Sequence, residues 1–282
     1  MKKKVVGMLL AALLVLTMMV AAGCGQGKTQ TGEENGKKTT ELSGSITIAG
    51  STSVQPFSEV LAEEFMALHP QVKVNVQGGG SSQGIEAAKS GAAEIGSSSR
   101  NLKPEEKVLK EFLIAKDGIA VVVNPANQVS NLSVAQVKDI FLGKITNWKQ
   151  VGGKDAKITL VNREAGSGTR DGFESLVMNK KPISDKALIV NSTGAVKTTV
   201  AGDPNSIGYM SLASLDNTVK AVAIDGVKPS RETVSTDQYK ISRPFIYVTK
   251  TEPTGLAKAF IDFVLSDEGQ KILEGEGVVR VK

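Results

Sequence analysis

Four times along this chain a short apolar stretch of strand character runs straight into a turn rich in glycine, serine and threonine. The clearest case is 158–170, I-T-L-V-N-R-E-A-G-S-G-T-R. Residues 158–161 supply a short buried strand. Arg163 follows, then Gly166-Ser167-Gly168-Thr169, then a helical run over 171–178. Glycine lets the backbone turn tightly, while Ser and Thr cap the helix and carry hydroxyl donors. A helix start presents unpaired N–H groups and the positive end of its dipole. With an arginine aimed at the same point, such a segment can cradle a tetrahedral oxyanion. Taken alone, a capped helix beside a surface arginine would read the same way.

The repetition decides between these readings. Residues 45–49 alternate as a strand, and Gly50-Ser51-Thr52-Ser53 then precedes a helical run over 54–68. A second strand over 72–76 leads into Gly78-Gly79-Gly80-Ser81-Ser82 and a helical run over 85–90. Glu94-Ile95-Gly96 runs into Ser97-Ser98-Ser99-Arg100. Open α/β sheets bind ligands at the carboxyl ends of their strands. Four such turns at matching positions therefore read as one shared site.

Alternating strands and helices set the class as α/β. The stretch from 43 to the end exceeds the usual size of one domain and predicts two. After the apolar run 119–123, Asn124-Pro125 marks a break into a second unit. That unit is predicted to hold helices over 133–141, 169–178 and 194–200, with strands over 158–161, 187–190 and 207–210. The chain returns near 243–248 and ends in helices over 256–265 and 267–273.

The N-terminus carries Lys2-Lys3-Lys4, an apolar run over 5–22, and Ala21-Ala22-Gly23-Cys24. Length and flanks read as a signal peptide over 1–23. Small residues precede Cys24, the only cysteine of the chain, which has no partner for an internal disulfide. Residues 24–42 are polar, with no hydrophobic pattern, and read as a flexible tether.

Composition excludes several classes. The 34 basic and 29 acidic residues give +5, and removal of 1–23 takes away three Lys and no acid, leaving +2. With only 4% aromatic residues to stack bases, nucleic acid is not an expected partner. The glycine cluster at 78–80 lacks the lysine of a P-loop, because Ile85-Glu86 follow Gly84. It also misses the dinucleotide fingerprint, with Gln83 at the third glycine position. Ser167 lies between Ala165 and Thr169 rather than in G-x-S-x-G. The single histidine, His69, precedes Pro70 at a helix end, and one His with one Cys makes no zinc-like cluster. No enzyme, metal site or cofactor is expected.

The segments G-S-T-S-V (50–54), G-G-G-S-S-Q-G-I (78–85), I-G-S-S-S-R (95–100) and R-E-A-G-S-G-T-R (163–170) resemble the phosphate-binding proteins of bacterial ABC importers. V-K-D-I-F-L-G-K-I-T-N-W (137–148) and P-N-S-I-G-Y (204–209) resemble that family too. The resemblance runs from about residue 43 to the end. It implies a two-domain periplasmic-binding-protein-like (type II) fold with the ligand in the cleft between domains. Domain 1 would be discontinuous, 43–122 plus 239–282, and domain 2 would be 123–238. The implied function is capture of inorganic phosphate and its delivery to the permease subunits of an ABC importer. A receptor for another oxyanion such as sulfate is the nearest alternative, and a serine phosphatase or esterase a more distant one.

The implied phosphate contacts are Thr52, Ser53, Ser81, Ser99, Arg163, Ser167, Gly168 and Thr169. The start of the chain is similar to a bacterial lipobox. That implies Cys24 modified with fatty-acyl chains such as palmitate, and a lipoprotein anchored on the outer face of the cytoplasmic membrane. Two departures stand out. Many relatives carry aspartate where this chain has Ser99, and an acid where it has Ala165. Glu164 and Asp171 are the candidates to replace the second.

Overall fold

The computed structural model describes residues 41–281, and the body from Glu41 onward forms one compact unit. The signal segment, Cys24 and nearly all of the tether lie outside the described residues. Among the described residues no helix is long and apolar enough to cross a membrane, and no group of three or more His, Cys, Asp or Glu could hold a metal ion.

Three parallel strands open the fold: β1 (Gly44–Gly50), β2 (Val72–Gly78) and β3 (Ile95–Ser98). Helix α1 (Gln55–Leu68) follows the first, with Pro56 in its first turn where no N–H is needed. Its Phe57, Ser58, Leu61, Ala62 and Phe65 recur at helical spacing and are buried as one stripe. Helix α2 (Ser81–Ser90) follows the second strand.

Strand β4 (Lys110–Val123) is fourteen residues long. Beyond it come β5 (Asn131–Leu132), α3 (Val134–Phe141), β6 (Thr159–Arg163), α4 (Gly168–Leu176), β7 (Leu188–Val190), α5 (Thr193–Gly202) and β8 (Ser206–Ser211). The chain ends with β9 (Lys220–Ala221), β10 (Ala223–Ile224), α6 (Arg231–Ser235), β11 (Ser242–Thr249), α7 (Gly255–Val264) and α8 (Asp267–Gly275). The main sheet runs β2-β1-β3-β11-β4-β8-β6-β7, with β9 beside β4, and β10 pairs with β5 separately. Two parallel blocks, β2-β1-β3 and β8-β6-β7, are thus joined through the antiparallel pair β11-β4.

The apolar cores divide along β4. Ile114 and Ala115 pack with Ile46, Ile48, Phe65, Phe245 and Phe260. Ile119, Val121 and Val123 pack instead with Phe141, Trp148, Phe173 and Tyr209. Trp148 is a packing residue, buried, with its indole N–H donating to the Asn205 carbonyl. His69 closes α1 with its ring 4.6 Å from that of Phe65.

Most elements fall where the sequence places them, and two differ. Strand β4 extends nine residues before the apolar run 119–123, because charges inside it read as surface and are in fact paired. Lys110 meets Glu252 at 2.5 Å, Lys116 meets Asp237, and Asp117 meets Arg243 at 3.1 Å. Helix α2 begins at Ser81, four residues earlier than the apolar pattern indicates. The sequence shows no apolar face before Ile85, but serines fit a first helical turn, and Gly80 at φ +99° makes the bend into it.

Candidate functional site

The Gly/Ser/Thr turns after β1, β2, β3 and β6 converge because glycine lets their backbones touch. A Cβ on Gly84 would lie 2.5 Å from the Ala49 carbonyl oxygen and 2.6 Å from Gly50 Cα. Helix α2 therefore packs directly on the end of β1, which explains a glycine in a helix interior. Backbone bonds stitch the turns: Gly79 and Gly80 donate to the Gly50 carbonyl at 2.8 and 2.9 Å, Ser51 to Ser97 at 3.0 Å, and Ser82 to Gly166 at 3.1 Å.

The start of α4 seats itself against these turns. Ser167 caps the helix, its Oγ accepting from the Arg170 N–H at 3.3 Å. Gly168 follows, then Thr169, whose Oγ1 lies 2.9 Å from Ser53 Oγ. Ser53 Oγ also meets Thr193 Oγ1 at 2.8 Å, on the first residue of α5. On the other side, Ser51 Oγ donates to Ser99 Oγ at 2.9 Å, and the Ser99 N–H donates to Ser81 Oγ at 3.0 Å. The amino ends of α1, α2, α4 and α5 thus gather around one set of hydroxyls. Each end contributes the positive pole of a helix dipole.

Two buried arginines reach this set. Arg163 is 1% exposed, and its Nη2 donates to Thr52 Oγ1 at 3.1 Å while Nη1 reaches Thr193 Oγ1 at 3.4 Å. Glu164 grips the same guanidinium through two bonds of 2.8 Å. Arg243, 4% exposed, donates from Nη1 to Thr169 Oγ1 at 2.7 Å and to the Ser99 carbonyl at 3.2 Å. Its Nη2 pairs with Asp117, the residue directly opposite in the β11-β4 register. Burial pulls the Arg243 guanidinium down to about 10 and pushes the Asp117 carboxyl up. Behind β6, Tyr209 donates to the Asn162 side chain and stacks on Phe173 at 4.0 Å, which fixes the strand carrying Arg163.

Arg243 also lines a cleft of about 530 Å³ with Arg100, Lys103, Asp171, Glu174 and Lys180. Thr52 and Thr193 border a smaller one of about 250 Å³. No carboxylate bonds any of the site's Ser or Thr hydroxyls among the described residues. What the arrangement offers is a dense group of donors, two arginines and four helix amino ends. That is chemistry for holding a desolvated oxyanion.

Known proteins share this architecture. A model of the PBP superfamily domain matches residues 33–268. The phosphate-binding protein PstS of Bacillus subtilis is 39% identical, over 99% of this chain and 95% of that protein. The chain belongs to the PstS family. A Clostridium perfringens substrate-binding protein of the phosphate ABC transporter type, solved with bound phosphate, matches with a TM-score of 0.82 and 46% identity, covering 85% of this chain and 100% of that one. A Vibrio cholerae ABC-type phosphate transport receptor gives a TM-score of 0.70 at 41% identity, covering 83% and 99%. The α/β binding-protein fold expected from the sequence is therefore the fold of this PstS-family chain.

All eight residues read from the sequence, Thr52, Ser53, Ser81, Ser99, Arg163, Ser167, Gly168 and Thr169, lie in this one cluster. The Arg163–Glu164 pair exists, but on a buried arginine rather than a surface one. Glu164 thereby orients Arg163 in the absence of an acid at Ala165. Asp171 does not: it stands in the first turn of α4 and pairs with Arg100 at 2.9 Å. Burial raises its carboxyl despite that partner.

Sequence reasoning missed Thr193 and the Arg243–Asp117 pair. Thr193 had a signal, since Ser192-Thr193-Gly194 follows the strand at 188–190 just as the other turns follow theirs. Arg243 and Asp117 each stand as a lone charge beside apolar strand residues, a weaker sign that needs the pairing of β11 with β4 to be read.

Proposed function

We propose that this chain is an extracytoplasmic receptor that captures inorganic phosphate and hands it to the permease subunits of an ABC importer. One observation carries the reading: Arg163 is buried, held by Glu164, and turns its remaining donors on hydroxyls of two different turns, Thr52 and Thr193. A buried cation among converging donors is a site for a small dianion. The named relatives and the phosphate-bound neighbour point the same way.

Thr52, Ser53, Ser81, Ser99, Arg163, Ser167, Gly168 and Thr169 hold the anion, through hydroxyls, backbone N–H groups and the arginine fork. The body divides into 43–122 plus 239–282 and 123–238, two lobes that close on the ligand. The separation of the apolar cores along β4 supports that division. Residues 1–23 direct export, and acylated Cys24 holds the receptor to the outer face of the cytoplasmic membrane through the tether 24–42. Binding rather than catalysis is favoured because neither Ser53 nor Ser167 has a His, Asp or Glu as hydrogen-bond partner among the described residues.

Calorimetric titration of the purified protein with phosphate, arsenate, sulfate and molybdate tests the reading. Saturable binding with phosphate tightest is expected. Absence of phosphate binding, or turnover of a chromogenic phosphate ester, would overturn it.

A further inference from the structure

Arg243 belongs to no motif that marks the site, yet it donates to one of the site's hydroxyls, that of Thr169. We propose that Arg243 is a specificity-determining positioning residue: by donating to Thr169 Oγ1 and to the Ser99 carbonyl it turns the Thr169 hydrogen away from β11 and toward Ser53 and the anion, which biases the site toward deprotonated oxyanion oxygens. The proposal rests on the phosphate reading above and extends it to a residue that need not touch the anion.

The logic follows from what each group can do. Arginine only donates, while a hydroxyl holds one hydrogen and two acceptor sites. At 2.7 Å the Arg243 fork occupies one acceptor site of Thr169 Oγ1. Three other hydroxyls accept likewise from fixed N–H donors, whereas Ser53 Oγ and Ser99 Oγ meet only other hydroxyls. Thr52 Oγ1 accepts from Arg163 Nη2 at 3.1 Å and from the Thr193 N–H at 3.2 Å. Ser81 Oγ accepts from the Ser99 N–H at 3.0 Å, and Ser51 Oγ from the Ser53 N–H at 3.2 Å. Each N–H so received turns that hydroxyl's own hydrogen away from the donor; Ser51 gives its hydrogen to Ser99, and Thr52, with both acceptor sites filled, has only its hydrogen to offer.

Thr169 differs from the rest in the source of its polarity. At Thr52, Ser81 and Ser51 a backbone N–H or the site arginine sets it, whereas here it comes from a side chain on β11. That chain is held by Asp117 across the sheet and lies over the Phe245 ring at 5.3 Å. The Arg243–Asp117 pair is neutral overall, so its effect on the anion is directional and not one of added charge. Without the fork, the Thr169 hydroxyl can turn and accept the proton that phosphate carries and sulfate lacks.

The test is titration of wild type, Arg243→Met and Arg243→Lys with phosphate, followed by displacement with sulfate at one neutral pH. Lysine keeps the charge but lacks the planar fork that spans Thr169, Ser99 and Asp117. Both variants are expected to bind phosphate more weakly and to raise the phosphate-to-sulfate preference about fivefold to tenfold, on the scale of one charge-assisted bond. Should Arg243→Met fail to fold, Arg243→Lys carries the measurement. Equal losses for the two anions in the folded variants would reduce Arg243 to a structural strut and overturn the inference. A methionine variant with the wild-type preference would overturn it too, by showing that no donor to Thr169 is needed. A wild type that binds no phosphate would sink the functional reading itself, a result distinct from either.

Discussion

Gly168 and Ser81 approach so closely that a Cβ on the glycine would stand 2.3 Å from the serine hydroxyl oxygen, and 2.7 Å from that of Ser99. The amino end of α4 and the turn after β2 are in contact only because position 168 carries no side chain. Gly168→Ala should therefore push them apart and weaken phosphate binding by about 1–3 kcal/mol, the usual cost of overpacking. Calorimetry on the variant reads the loss. Its thermal midpoint should fall as well, because the clash is with the buried Ser81 and Ser99.

Arg163→Ala should cost about 2–5 kcal/mol in phosphate affinity, since a charge-assisted bond in a desolvated cleft is lost. Thr52→Ala removes one neutral hydroxyl bond that water can replace, for about 0.5–1.5 kcal/mol. Titrations of the two variants side by side check the order. Equal effects would mean that the arginine does not reach the anion.

Ser99 is fully buried and receives the Ser51 hydroxyl. An aspartate there must accept, so it suits the proton of hydrogen phosphate and opposes fully ionised sulfate. Ser99→Asp should raise the phosphate-over-sulfate ratio, chiefly by weakening sulfate. Paired titrations at one neutral pH measure it, and an unchanged ratio would place the proton acceptor elsewhere.

Glu106 offers a prediction about stability. Hydrogen bonding to Arg100, at 2.7 and 2.8 Å, holds its carboxyl below the usual glutamate range. A depressed carboxyl stabilises the fold above the unfolded value of about 4.3, and that contribution vanishes as pH falls through the lower folded value. Glu106→Gln should thus cost about 1–3 kcal/mol near neutrality. Urea melts at neutral pH and at about pH 3 should show the difference from wild type shrinking on acidification.

Cys24→Ala should leave the exported protein without its acyl chains, because stable anchoring needs more than one chain and the cysteine supplies the attachment. Mass spectrometry and detergent partitioning of the two forms read the change. Identical mass shifts and partitioning would refute the anchor.

The site was legible in the sequence wherever its parts are local. A turn such as Gly166-Ser167-Gly168-Thr169 announces its own backbone, its cap and its donors within a few residues. Thr193 follows the same grammar after a strand of only three residues, too short for the turn to stand out. The Arg243–Asp117 pair was illegible for a different reason: its members lie 126 residues apart and meet only through sheet register. Strand β4 was under-read because Lys110, Lys116 and Asp117 break its apolar pattern, and their partners come from distant segments. The early start of α2 was hidden because its first turn packs through Ser81 and Gly84, small residues that no hydrophobic period records.

The place of β11 carries a consequence for how the molecule is made. It is the last strand to leave the ribosome, yet it sits mid-sheet, between β3 and β4. Until it arrives, the earliest strands have a vacant slot beside them, and Asp117 has no counter-ion. The opening third of the polypeptide must wait for the closing sixth before it can become native, a long-range closure of the kind that slows folding. A nascent chain stopped after α6 would keep most of the serine-rich turns and still lack the keystone between its two halves.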